Sequence, residues 1–189
     1  MSGYCTLPFV QYSTYNHGRY RLCCMAKEPA EELNQNHLSM QEIWNSDYMK
    51  QVRKDMLEGK WRPECQECEH LERNGIGSSR QWENHKWGEY AKDLDENVAS
   101  PVQFDFRLGN MCNLQCQMCN KDASHLVSVE RAKIVEQYGK PVDHEDWERI
   151  TKNKKEALLS PGIEWETFEP MIPHAKEIKM IGGEPTVFP

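Results

Sequence analysis

The chain has 189 residues and a net charge of −7, with 23 Lys and Arg against 30 Asp and Glu. That balance argues against a nucleic-acid backbone as partner, because phosphate contacts need clustered cations. Hydrophobic residues make up 38 %, enough for one or two modest cores, and no apolar run nears the ~20 residues of a membrane helix. The opening MSGYCTLPF lacks the basic segment and apolar stretch of a signal peptide. Eight cysteines without an export signal, some in C-x-x-C spacing, point to thiols on metal in a reducing compartment, the cytoplasm.

Residues 1–30 hold Cys5, Gly18, Cys23 and Cys24 in a C-x12-G-x4-C arrangement. The segment reads as a hairpin that turns at Asn16, His17 and Gly18 and brings Cys5 near Cys23. Neighbouring residues of a strand face opposite ways, so one of Cys23 and Cys24 faces the site and the other packs as a small buried hydrophobe. After a polar stretch, residues 39–59 read as one helix. Ser39 and Glu42 form a capping box, Ile43, Trp44, Met49, Val52, Met56 and Leu57 fall mostly on one face, and Gly59 closes it. Cys65 and Cys68 then form a C-x-x-C knuckle that can place two thiolates on one metal. Trp82, Trp87 and Tyr90 follow in a polar segment without a clear period. Residues 92–100 read as a linker.

The segment 101–108, PVQFDFRL, alternates apolar and polar residues and predicts a strand. Gly109 and Asn110 end it, and Cys112, Cys116 and Cys119 follow in the order C-x3-C-x2-C. Three soft thiolates on one loop suit iron in a cluster, and a [4Fe–4S] cube held this way keeps one iron without a protein ligand. Zinc is the plainer reading of a cysteine triplet. A helix is expected after the loop, with Leu126, Val129, Ile134 and Val135 inward and Gly139 at its end. Charge placement predicts another helix across 143–155, acidic first and basic last. A short helix over 165–171 and a strand over 177–181 complete the chain, which then runs into Gly182-Gly183-Glu184-Pro185.

The triplet after one strand and GGEP after the next resemble the signature of radical S-adenosylmethionine enzymes. The C-x12-G-x4-C element with its separate C-x-x-C is similar to the opening of SPASM and twitch auxiliary-cluster modules. The later cysteines of a full SPASM module are missing, so twitch is the nearer match. In that family such modules usually follow the catalytic core; here the module comes first. The resemblance implies an α/β chain: a small Cys-rich α+β cluster domain over 1–91, then the start of a partial (β/α)6 barrel over 101–189. It implies that Cys112, Cys116 and Cys119 hold a catalytic [4Fe–4S] cluster. Met118 would pack near the adenine of S-adenosylmethionine, and Gly182, Gly183 and Glu184 would receive its methionyl amine. Cys5, Cys23, Cys65 and Cys68 would hold a second [4Fe–4S] cluster, with structural zinc as the rival occupant. The expected activity is that of an oxidoreductase, the reductive cleavage of S-adenosylmethionine to a 5′-deoxyadenosyl radical that abstracts hydrogen from an unknown substrate, a peptide among the candidates. A one-electron donor such as flavodoxin or ferredoxin would serve it, with no nucleic acid and no membrane as partner. A non-catalytic zinc-binding or cluster-carrying module is the alternative. Only the first strand, a helical region and the second strand of such a barrel are present, so the chain reads as an N-terminal fragment, inactive by itself.

Overall fold

The computed structural model describes residues 2–15, 18–27, 38–120, 123–139 and 165–187. Its frame is a four-stranded open sheet in the order β2-β1-β3-β4. Strand β1 (Gln11–Thr14) runs antiparallel to β2 (Tyr20–Arg21), with Ser13 opposite Arg21. It runs parallel to β3 (Gln103–Arg107), with Gln11 opposite Gln103 and Ser13 opposite Asp105. Strand β4 (Glu177–Ile181) lies next to β3. The protein is therefore a mixed α/β chain with an open mixed sheet.

The two faces of this sheet differ in chemistry. On one, Phe104 and Phe106 meet Phe168 at ring distances of 4.8 and 4.9 Å, and Tyr12 stands 5.2 Å from Tyr20. On the other, Gln11, Ser13, Arg21, Gln103 and Asp105 are buried together. Burying polar groups requires that they bond one another. Arg21 Nε donates to Ser13 Oγ at 3.0 Å, and Arg21 Nη2 stands 3.5 Å from Asp105 Oδ2. The alternation of β3 marks a strand, but both of its faces are covered rather than one.

By contacts the chain divides into two units. The first comprises Met1–Thr14, Arg19–Phe106 and Ile163–Lys179; the second comprises Tyr15–Gly18, Arg107–Gly162 and Met180–Pro189. Residues 92–100, expected as a linker, lie inside the first unit and are tied to it. Trp44 Nε1 donates to Val98 O at 2.8 Å, and Gln41 Nε2 donates to Ala99 O at 3.1 Å. The buried Arg53 donates to Pro8 O, Glu96 O and Trp44 O at 2.9, 3.1 and 2.9 Å.

In the first unit a short buried helix α1 (Leu7–Val10) follows Cys5, where an extended strand was expected; Pro8 suits a first helical turn. The single helix expected over 39–59 is two helices. The capping box of Ser39 and Glu42 starts α2 (Met40–Trp44), and Ser46 accepts from the Met49 N–H to start α3 (Asp47–Leu57). Ser46 supplies a second N-cap signal, which splits the pattern. Gly59 closes α3 at φ +71°. A 3-10 turn (Pro63–Cys65) leads into α4 (Gln66–Arg73). The segment without clear period is α5 (Ser79–Ala91), begun by a capping box of Ser78 and Gln81; only Trp87 and Ala91 of it are buried, which leaves too little pattern to read.

In the second unit, α6 (His125–Tyr138) follows the cysteine loop and ends at Gly139 with φ +83°. Its buried residues are Val127, Ala132 and Val135, whereas Ile134 is exposed, so the inward face is turned from the expected one. Helix α7 (Trp165–Phe168) and a 3-10 stretch (Glu169–His174) precede β4. The helix expected across 143–155 and the turn residues Asn16 and His17 lie outside the described residues. Among the described residues no helix is long and apolar enough to cross a membrane.

Candidate metal centres

All eight cysteines are free thiols. In the first unit, Cys5, Cys23, Cys65 and Cys68 line one cavity of about 180 Å³. Four separate pieces of chain bring them there. Cys5 precedes α1, Cys23 follows β2, Cys65 ends the 3-10 turn, and Cys68 sits in the first turn of α4. Cys24, expected to be buried, is exposed at the rim. Strand β2 ends at Arg21, and a turn closed by the Ala26 N–H on Cys23 O at 3.2 Å replaces the alternation on which that expectation stood.

Hydrogen bonds fix the backbone on both sides of these thiols. Tyr4 O accepts from Arg80 Nη1 and from Asn84 Nδ2, and the Thr6 N–H donates to Asn84 Oδ1 at 2.8 Å. Arg80 and Asn84, one turn apart on α5, thus clamp the segment around Cys5. Arg80 also pairs with Glu72, one turn beyond Cys68 on α4, and Ser78 Oγ donates to the same carboxylate at 2.5 Å. Lys27 N–H donates to Glu64 O at 3.0 Å, tying the Cys23 turn to the residue before Cys65. Glu64 accepts from Tyr48 OH at 2.9 Å and from Arg62, which also reaches Asp55 at 2.6 Å. Arg80 stood out in the sequence without a role, and Asn84 and Glu72 were missed; the Ser78–Gln81 capping box that starts α5 is a local signal for the helix but not for what Arg80 and Asn84 touch.

Burial pushes the Cys5 thiol well up, with Cys23 and Cys65 adding to the effect. Burial likewise raises Cys23 to about 11 and Cys65 to about 12. A bound metal would have to displace these protons. Among the described residues no three His, Cys, Asp or Glu side chains form a ready metal-ligand group, so the four thiols share a cavity without closing on one point.

In the second unit, Cys112 is buried, Cys119 half-buried and Cys116 exposed. The Cys119 N–H donates to Cys116 O at 3.0 Å, a tight turn joining the last two cysteines. The Leu114 N–H donates to Cys112 Sγ at 3.4 Å. His125, which the sequence reading did not weigh, holds the start of the loop: its backbone N–H donates to Asn110 O at 2.8 Å, and its Nδ1 accepts from the Cys112 N–H at 3.2 Å. Met118 is 94 % exposed.

Gly182 and Gly183 stand at φ +90° and +58°. The loop of the triplet and the GGEP turn are bonded to each other. The Glu184 N–H donates to Met111 O at 2.8 Å, the Gly183 N–H to Ala123 O at 2.9 Å, and the Leu108 N–H to Ile181 O at 2.8 Å. A Cβ on Gly183 would stand 1.9 Å from Met111 O, so only glycine permits this approach. The exposed Glu184 carboxylate accepts from Thr186 Oγ1 at 2.8 Å and from its N–H at 3.2 Å, bonds that hold it below the usual carboxylate range. No protein-family model, curated protein or solved structure matches the chain.

Proposed function

We propose that the chain serves radical S-adenosylmethionine chemistry and carries two iron–sulfur sites, one on Cys112, Cys116 and Cys119 and one on Cys5, Cys23, Cys65 and Cys68. The observation that carries this reading is the backbone bonding of the cysteine loop to the Gly-Gly-Glu turn, two motifs more than sixty residues apart by their numbers. The run of β3, α6 and a neighbouring β4 is the order in which a βα barrel begins.

The donor sets suit clusters. Three thiolates leave an iron open, and four thiolates close a site. A cluster held by Cys112, Cys116 and Cys119 would supply an open iron and one electron for the reductive cleavage of S-adenosylmethionine. The chain's own residues do the rest. His125 and the Cys116–Cys119 turn hold the loop backbone. The carbonyl groups of Gly182 and Gly183 and the ionised Glu184 offer acceptors to an ammonium. The exposed Met118 offers an apolar surface to adenine. Electrons would come from a carrier such as flavodoxin or ferredoxin, the substrate class includes peptides, and eight reduced cysteines suit a reducing compartment such as the cytoplasm.

Anaerobic reconstitution with iron and sulfide tests the reading. Brown protein with about seven or eight irons per chain is expected, together with a change in the cluster's electron paramagnetic resonance spectrum on addition of S-adenosylmethionine. Colourless protein retaining about two zinc ions would overturn it.

A further inference from the structure

Arg80 stands where the four-thiol cavity meets its supporting helices. The residue lines the cavity, its guanidinium lies 4.9 Å from the centre of the Trp61 ring, and its side chain is only 11 % exposed. Nη1 donates to Tyr4 O, the carbonyl before Cys5, and Nε donates to Glu72 Oε1 at 2.9 Å. Of this ion pair only Arg80 lines the cavity; Glu72, one turn beyond Cys68 on α4, does not. The cation is therefore the partner nearer the thiols.

Stability alone does not account for such a pair. A buried ion pair is often no better than an apolar pair of the same shape, because desolvation offsets the attraction. The thiols supply a reason. Four thiolates bring four negative charges, and a divalent metal or an oxidised [4Fe–4S] core returns only two. Negative charge left in a buried cavity is costly unless a cation stands near it. Lys179, the other cation on the wall, is engaged by carboxylates: its Nζ holds Glu177 Oε1 at 3.1 Å, and Glu83 and Asp105 act on it as well. Burial raises the Cys5 thiol most, and Arg80 acts against that rise.

We propose that Arg80 is a positioning residue of the four-thiol centre whose charge offsets the negative charge of the metal-bound thiolates and, for a cluster, sets how readily it is reduced. This rests on the reading of Cys5, Cys23, Cys65 and Cys68 as metal ligands. Glu72 is the counterweight: it holds the guanidinium and damps its field. Taking the charge from Glu72 alone and taking it from both partners should move the centre in opposite directions, because like and unlike charges act on it with opposite sign. A role in packing alone predicts no such reversal.

The full chain carrying Cys112→Ser, Cys116→Ser and Cys119→Ser, reconstituted with iron and sulfide, isolates the four-thiol centre for a redox titration followed by paramagnetic resonance. Glu72→Gln keeps the shape of the side chain and leaves Arg80 uncompensated, so the ratio of reduced to oxidised cluster at a fixed potential should rise about threefold to tenfold. Arg80→Gln combined with Glu72→Gln removes the nearer charge as well. The ratio should then fall about tenfold below that of the parent, about 59 mV for one electron. Cobalt(II) affinity, read from the thiolate charge-transfer band, should rise in the first variant and fall in the second. Shifts of the same sign in both variants, or ratios and affinities within about twofold of the parent in folded protein, would overturn the proposal. Where the double variant does not fold, Glu72→Gln decides by itself, and the absence of a rise sinks the idea. A parent that takes up no iron yet binds cobalt, with the variants in the expected order, refutes the cluster reading and leaves this inference standing. A parent that binds neither metal at the four thiols refutes both.

Discussion

At the scale of single residues, the strongest constraint is Gly183. Its φ of +58° and the 1.9 Å approach of a Cβ to Met111 O leave no room for a side chain. Gly183→Ala should therefore separate the GGEP turn from the cysteine loop, costing about 2 kcal/mol or more in that unit and abolishing the spectral response to S-adenosylmethionine. Thermal melting and paramagnetic resonance check both. His125 offers a subtler test. Its Nδ1 accepts the Cys112 N–H, so His125→Ala should lower iron occupancy of the three-cysteine site, while His125→Asn, which keeps an acceptor oxygen, should restore part of it. Iron per chain and the three-cysteine site's spectrum distinguish that effect from a general loss of fold. Arg80 acts on the other centre. Removing it by Arg80→Ala leaves Glu72, whose side chain is 2 % exposed, without its cation, a loss of about 2–3 kcal/mol in urea unfolding. Although burial opposes it, the bonds from Arg80 and Ser78 now hold that carboxyl below its usual range.

At the scale of elements, β4 shows how charge secures an edge. Burial raises the Glu177 carboxyl, but hydrogen bonds from Lys86, Lys179 and Gln103 outweigh it and bring it down to about 2. A carboxylate with a depressed folded-state value stabilises above its unfolded value, and that contribution fades as pH falls towards 2. The side chain is partly exposed, so the contribution is about 1 kcal/mol after screening. Glu177→Gln should lower stability at neutral pH by that amount and make the melting temperature less dependent on pH between about 2 and 4.5, as read in melts across that range. Helix α5 is a different case: a polar helix held by its ends and by Arg80 and Asn84 rather than by an apolar stripe. Such a helix gives little periodic signal, and for that reason its sequence read as irregular.

At the scale of the whole molecule, the thiols make metal loading a proton-coupled event. Burial pushes the Cys23 thiol up to about 11 and the Cys65 thiol up to about 12, so metal binding there must displace protons. Affinity of the four-cysteine site should rise with pH between 6.5 and 8.5, with measurable proton release on loading; about tenfold per pH unit is expected for each thiol proton displaced. Competition titrations with a chelator in weak and strong buffers test the sign and the stoichiometry.

What the chain determined locally was legible before any fold was known. The two cysteine sets, the strands before each loop, the capping box at Ser39 and the glycines after α3 and α6 are written in neighbouring residues, because strand alternation, caps and turns are short-range physics. Only the tertiary structure decided that the N-terminal hairpin and β3 share a sheet, since Ser13 and Asp105 meet across 92 residues of chain. That pairing buries the polar face of the sheet against the four thiols, and the docking of α5 brings Arg80 to Cys5. Long-range contacts of this kind follow from which surfaces can be covered together, and no window of adjacent residues contains that information.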